Sequence, residues 1–456
     1  MCRHKKCDEQ QPTCGDCKRL GVLCLPRARV RAPGEVLPGQ APRRGSSLSI
    51  SLTPSIEFPS STVLIPITAL NSFAGVTTEK LASWSVGEKH LLNHYQQVVS
   101  RALVVVDDEH NPFLLALVPM ALEHDPVRHS VVALSACHIS KVYPSFKRNA
   151  LKHRSLALDG LKSELNAQRR IEVSLATTLL LALLEICEGN SRKWILHLHG
   201  AKALIESHQG RSVEHPLSFL IDLHKFLCCI AAITPTSTLS VLNSAAVPQL
   251  DTGSVCSTNL VHPLFGLARE MYSAVNRISQ LAARRNNHEG LHSQQDPALD
   301  AEARDIELCL QGWNPQRENP DIDGRKSREV SAAASSIRSA ATMRLYQVMY
   351  GHDVSSGEVQ SWVDSILSAL SLIRPGSLLE NHILFPLFMA GVGSATKANR
   401  LTVEYRLNIM ETTIGLGNIT GAHRVLDTVW QKMNDGQSAV NWEQLMEQDY
   451  PGVILL

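Results

Sequence analysis

Glu172-Val173-Ser174-Leu175-Ala176-Thr177-Thr178-Leu179-Leu180-Leu181-Ala182-Leu183-Leu184-Glu185-Ile186-Cys187 is the stretch that decides the fold class. It is apolar on nearly every side, and a helix of that kind belongs at the centre of a large helical domain. Its most apolar part, Leu175 to Ile186, is broken by Thr177, Thr178 and Glu185 and is too short to span a bilayer.

The flanking sequence repeats the helical signal. Helices are expected over His90 to Val106, from Asn111-Pro112-Phe113 through Leu122, over Val127 to Val142 with Asp125-Pro126 as cap and first residue, and over Lys147 to Leu165. Trp194 to Ser207 and Pro216 to Ile233 follow. Val359, Trp362, Val363, Ile366, Leu367 and Leu370 recur at i, i+3, i+4, i+7, i+8 and i+11 before Pro375-Gly376. Ala422, Val425, Leu426, Val429, Trp430 and Met433 repeat those intervals before Asp435-Gly436. Thr62 to Ile67 is the one strand-like run, so the body reads as all-α. Aromatic residues at 5% point the same way. Between Asn286 and Ser335 the chain turns polar, with Pro297, Pro315 and Pro320, which predicts a surface excursion holding one short helix near Ala301 to Trp313.

At 456 residues, 44% hydrophobic and 19% charged, the chain has ample core for one large or two ordinary domains. No apolar N-terminal segment marks a secretory signal. Its net charge of +1 hides an asymmetry: residues 1–50 carry ten Lys/Arg against four Asp/Glu, and the remainder 34 against 39. A basic head on a mildly acidic body suits a protein whose head meets nucleic acid.

That head has a cysteine grid: Cys7, six residues, Cys14, two residues, Cys17, six residues, Cys24. Thiolates two residues apart reach one tetrahedral ion at about 2.3 Å. Arg3, His4, Lys5 and Lys6 precede Cys7, and Lys18 and Arg19 follow Cys17, so a metal-pinned backbone would present cations to phosphate. Residues 27–66, rich in Pro, Gly, Ser and Arg, read as a basic, mostly disordered linker. The six cysteines beyond the head, Cys137, Cys187, Cys228, Cys229, Cys256 and Cys309, read as buried free thiols of a reducing compartment.

The order Arg-His-Lys-Lys-Cys-Asp-Glu-x-x-Pro-x-Cys-x-x-Cys-x-x-x-Gly-x-x-Cys resembles the fungal binuclear zinc cluster (Zn₂Cys₆) of transcription factors. By that resemblance Cys7, Cys14, Cys17 and Cys24 are the third to sixth zinc ligands of a head over residues 1–26. Arg3, His4, Lys5 and Lys6 then fall where the family contacts double-stranded DNA, with Lys18 and Arg19 available to phosphate. The family's first Cys-x-x-Cys would fall before Met1, so the chain as given supplies four thiolates, enough for one zinc ion. Two explanations stand: a start lying upstream, or a finger that has lost half its ligands. The retained basic run and spacing favour the first.

A second resemblance covers the body. Asn111-Pro112-Phe113, Leu134-Ser135-Ala136, Leu179 to Glu188, Trp194-x-x-His197-Leu198-x-Gly200-Ala201, Leu384-Phe385-Pro386-Leu387-Phe388, Val429-Trp430 and Trp442 look like the fungal-specific transcription factor domain. The resemblance implies an all-helical regulatory domain over residues 67–456 in a nuclear, sequence-specific regulator of RNA polymerase II genes, of the kind that controls metabolic or secondary-metabolite pathways. It also admits a homodimer and a small-molecule effector, although no heptad after the head supports dimerisation. The alternative function is a regulatory interaction protein that has lost DNA binding.

Other constellations read as structural. His288-Glu289-Gly290-Leu291-His292 has the form H-E-x-x-H, but polar neighbours and a glycine leave no amphipathic helix to hold a catalytic zinc, and a polar loop is expected. His197 and His199 point to opposite sides of one helix and suit no shared metal. Asp107-Asp108-Glu109 reads as a solvated run, and Cys228-Cys229 as core. With no phosphate loop, dinucleotide fingerprint or nucleophile elbow, an enzyme is not expected.

Overall fold

The computed structural model describes residues 81–105, 110–167, 170–208, 215–233, 262–288, 296–313, 324–437 and 439–456. All of them fall in one unit spanning Ile65–Leu456. Among them every named element is helical, and pairing is limited to two isolated bridges, His262 with Gly266 and Asp353 with Ala439. The residues 1–66 read above as head and linker, the strand-like run at 62–67, the acidic run at 107–109 and Cys256 lie outside the described residues.

Ser85 and Glu88 cap α1 (Val86–His94) reciprocally, which starts it four residues before the expected His90. The helix continues through a π-helical turn, Tyr95–Val99, and ends at Ala102 rather than Val106. Asn111 caps α2 (Pro112–Leu115) by accepting from the Phe113 N–H, and α3 (Leu117–Glu123) follows. In α4 (Asp125–Ile139) the cap is His124, so Asp125 and Pro126 sit one position further into the helix than expected. Proline's fixed φ and missing N–H are tolerated throughout that first turn, and the Asp125 carboxylate favours the positive end of the helix dipole. α5 (Lys147–Ala167), α6 (Ile171–Glu188), α7 (Lys193–Ser207) and α8 (His215–Ala231) complete the first half.

Every side chain of α6 from Val173 to Cys187 is buried, by α4, α5, α7 and α8. The charge within that run is neutralised: Glu185, 1% exposed, pairs with Arg154 of α5, which also reaches Glu188 at 3.3 Å. Without that partner the buried carboxylate would be strongly destabilising.

A second buried helix centres the other half. α9 (Arg269–His288), α10 (Pro297–Gly312), α11 (Gly324–Tyr350) and α12 (Gly357–Ser371) precede α13 (Leu384–Gly393), all of whose residues are buried. α14 (Lys397–Thr413), α15 (Gly417–Asn434) and α16 (Trp442–Asp449) follow. Helices α11, α12, α14 and α15 pack around α13. The stripes expected on α12 and α15 are its contact surfaces, with Val359, Val363, Ile366 and Leu370, and Ala422, Val425, Leu426 and Val429, all buried.

The described residues of the polar stretch 286–335 are built into the body rather than forming the surface excursion that its composition predicts. α10 begins at Pro297, four residues early, and seats Leu299, Ala303, Ile306 and Leu310 against α9 and α11; α11 is under way from Gly324. Those four apolar residues recur at i, i+4, i+7 and i+11, a narrow stripe that the surrounding charges hide from a composition reading. Cys309 lies off the stripe and is exposed, against the expectation of a buried thiol, whereas Cys137, Cys187, Cys228 and Cys229 are buried.

Buried charges lock the second half. Arg344, 2% exposed, donates to Ile233 O at 2.7 Å and to Glu443 at 2.9 Å, and stacks over Trp442. Arg406 pairs with Glu380 at 2.7 Å and donates to Ile373 O at 2.9 Å.

α15 touches both central helices. At its start Gly417 lies directly on the last carbonyls of α6, where a Cβ would run into the oxygens of Cys187 and Glu188. Gly189, at φ +81°, ends α6 in the left-handed region and packs on Gly417 in return. Further along, Trp430 donates from Nε1 to Gly391 O of α13 at 2.9 Å. The C-terminal residues are held by the same clasp: Asn418 Nδ2 donates to Leu456 O at 2.9 Å, and Trp194 Nε1 to Gly452 O at 3.0 Å.

Two predictions follow from this packing. Gly417→Ala should lower unfolding free energy by about 3 kcal/mol, because the obstacle is backbone and cannot swing away; guanidinium unfolding of the full chain measures it. His224 and His382 are buried neutral, and burial pushes each pKa down to about 4. An unfolded histidine titrates near 6.5, so between about pH 6.5 and 4 the unfolded chain binds protons that the folded chain refuses. Stability should therefore be complete above pH 7 and fall on acidification through that window, seen as a falling denaturant midpoint. His224→Asn should flatten the slope.

Candidate functional site: a histidine-lined helix junction

The sequence-predicted ligands Cys7, Cys14, Cys17 and Cys24, and the basic residues Arg3, His4, Lys5, Lys6, Lys18 and Arg19, lie outside the described residues. Of the H-E-x-x-H run, His288 is the last residue of α9, and Glu289 to His292 lie outside the described residues as well. His197 and His199 share α7; burial is the main cause of the lowered pKa of each, to about 4 for His197.

What the fold does bring together is a set of histidines where α1, α4 and α5 meet. Nothing in the sequence flags it, because its members lie 24 and 41 residues apart, at Glu88, His129 and His153. Glu88 is positioned by the capping box: its Oε2 accepts from Ser85 N–H at 2.9 Å and from Ser85 Oγ at 2.7 Å. His129, on α4, is half-buried, and His153 is buried on α5. Their Nδ1 atoms stand 3.1 Å apart, with ring planes inclined at 51°.

Electrostatics keep both rings uncharged. Burial, reinforced by the neighbouring imidazole, pushes His153 down to about 4; burial and then Arg128 lower His129. Burial alone would raise the Glu88 pKa, but the Ser85 hydrogen bonds and Arg128 outweigh it and the pKa is lowered. Arg128 is itself tied to Asp125 at 3.0 Å and lies over the Trp84 ring. At neutral pH the junction thus offers two neutral imidazoles and one carboxylate. One ligand atom from each of the three lies within 4.8 Å of the other two, the only such group among the described residues.

A second imidazole pair sits further along α4. His138 Nε2 lies 2.6 Å from Ile414 O, which requires a proton there, so Nδ1 accepts from His94 Nε2 at 3.0 Å. Burial, His138 and His90 lower the His94 pKa to about 4. This pair is a hydrogen-bonded strut with no carboxylate beside it in the group above.

As for an effector cavity, the groove of about 750 Å³ between α11 and α12 is lined by Ser335, Arg338, Ser339, Ser361, Asp364 and Ser365. It is polar and open, unlike the enclosed apolar pocket that most small molecules occupy. No helix among the described residues is long and apolar enough to cross a membrane.

Comparison with known proteins gives this architecture a family. The fungal specific transcription factor domain matches residues 90–455. The chain is 25% identical to the transcriptional activator protein UGA3 of Saccharomyces cerevisiae, over 47% of this chain and 45% of that protein. It is 22% identical to an uncharacterized transcriptional regulatory protein of Schizosaccharomyces pombe, over 98% of this chain and 94% of the other. It is 26% identical to the Zn(2)-C6 fungal-type transcription factor afumD of Aspergillus fumigatus, over 36% of this chain and 39% of that protein. The matches to the budding-yeast and Aspergillus proteins thus span less than half of those relatives. No solved structure matches. These relatives are named as regulators of transcription, not enzymes. With the family match spanning most of its length, the chain belongs to the fungal specific transcription factor domain family, a family of transcriptional regulators.

Proposed function

We propose that the chain is a nuclear, sequence-specific DNA-binding regulator of RNA polymerase II genes, with a zinc-dependent head and a helical regulatory body. One observation carries the reading: the same chain joins a family-matched body to a basic segment with the cysteine spacing of a zinc cluster. In this reading the thiolates of Cys7, Cys14, Cys17 and Cys24 hold zinc. A segment too short for a core gains its fold from that metal. Arg3, His4, Lys5 and Lys6 then meet base edges and phosphates of duplex DNA, and Lys18 and Arg19 add phosphate contacts. The Zn(2)-C6 name of the Aspergillus relative supports a zinc head, and the activator name of the budding-yeast relative supports a role in transcription. A nuclear location follows from the substrate.

Metal content and DNA affinity test the proposal together. Cys14→Ala should lose head zinc and specific duplex binding at once. Lys6→Ala should keep the zinc and weaken binding by about tenfold, with a shallower salt dependence, as expected for one lost cationic contact. If the full chain shows no head-bound zinc and no preference for any duplex, the body acts without DNA contact, and the interaction-protein reading replaces this one.

A further inference from the structure

We infer that Glu88, His129 and His153 form a binding site for a divalent metal of the zinc class, within the helical body and separate from the cysteine head. The donor set is that of a three-ligand zinc site, two imidazoles and a carboxylate, with the fourth position left to water or an added ligand. A tetrahedral ion with Zn–N near 2.05 Å sets its ligand atoms about 3.3 Å apart. The two Nδ1 atoms already stand at 3.1 Å, and the carboxylate lies within 4.8 Å of both, inside the reach of a glutamate side-chain rotation.

Three further features suit a metal. Zinc competes with protons for imidazole, and neither ring holds an extra proton at neutral pH. The groups facing the pair are Arg128 and Lys152 on the cationic side and Glu88 and Asp125 on the anionic side, so formal charge around it cancels and incoming Zn²⁺ meets no net repulsion. Ser85 N–H and Oγ hold Oε2 and keep the carboxylate at the junction, the kind of outer hydrogen bond that supports metal ligands. Two imidazoles among three donors select zinc, cobalt, nickel or copper over magnesium or calcium, which prefer all-oxygen sites.

The three ligands come from three helices, α1, α4 and α5, so an ion there staples α1 onto the pair behind it. A metal bound by the native state alone raises stability by mass action. The predicted consequence is a body whose first described helix is held more tightly when zinc is available.

The test uses the full chain with Cys2, Cys7, Cys14, Cys17 and Cys24 all changed to Ser, so that the head contributes no thiolate and the outcome is independent of the DNA-binding proposal. After dialysis against buffered zinc, this chain should retain one zinc ion at the body site by mass spectrometry. Its thermal midpoint, followed by helical circular dichroism, should rise with zinc and not with magnesium. Glu88→Gln keeps the capping box, since glutamine can serve at that position, and His129 is only half-buried, so His129→Gln spares the core. Each should weaken zinc binding at least about tenfold and abolish the zinc-dependent rise, leaving the metal-free midpoint near that of the parent. A head-silenced chain that takes up no zinc overturns the inference. So does zinc retained unchanged in both variants, which would place the ion elsewhere.

Discussion

The architecture depends on one close approach, the contact of the α15 N-terminus with the α6 C-terminus through Gly417 and Gly189. Each half of the body has its own buried central helix, α6 in the first and α13 in the second. The two helices lie in one continuous core, and one element packs against both. α15 is that element, and its first residue meets the α6 carbonyls backbone to backbone. The arrangement is also favourable electrostatically, because the negative end of one helix dipole meets the positive end of another. Once that end is fixed, the remaining turns of α15 lie along α13, and Trp430 reaches Gly391 O. The chain terminus closes the joint through Asn418 and Trp194.

Much of this was legible from residue spacing, and the exceptions share a cause. α6, α12 and α15 announce themselves by apolar periodicity, since burial on one face or all faces leaves that trace. α10 hides because its buried stripe is one residue wide and embedded among Asp, Glu and Arg. The charges that lock the core are equally opaque. Glu185 looks like an interruption of an apolar run until Arg154 is seen beside it, and Arg344 gives no sign in sequence that it will be buried under Trp442. Pairing partners lie 31 and 98 residues away, beyond what any local pattern records.

The same limit divides the two metal-related readings. A zinc head is written as closely spaced cysteines because a segment without a core must keep its ligands near one another along the chain. The body has a scaffold already, so the junction of Glu88, His129 and His153 can draw on three helices and leaves no motif. His197 and His199, to which the sequence did draw attention, belong to no group of potential metal ligands among the described residues.

The histidine junction and the clasp are physically continuous. α4 carries His129 at one end of its length and His138 near the other, and His138 donates to Ile414 O, in the turn that leads through Gly415 to Gly417. A shift of α4 cannot leave that turn untouched, because the Ile414 carbonyl would lose its donor inside a mostly buried contact, at a cost of order 1–3 kcal/mol. Whatever tightens α1 against α4 and α5 therefore acts on a helix already bonded to the joint between the two central helices. For a regulatory domain this is a useful placement: the most adaptable chemistry in the body lies on the element that reports to its least adaptable contact.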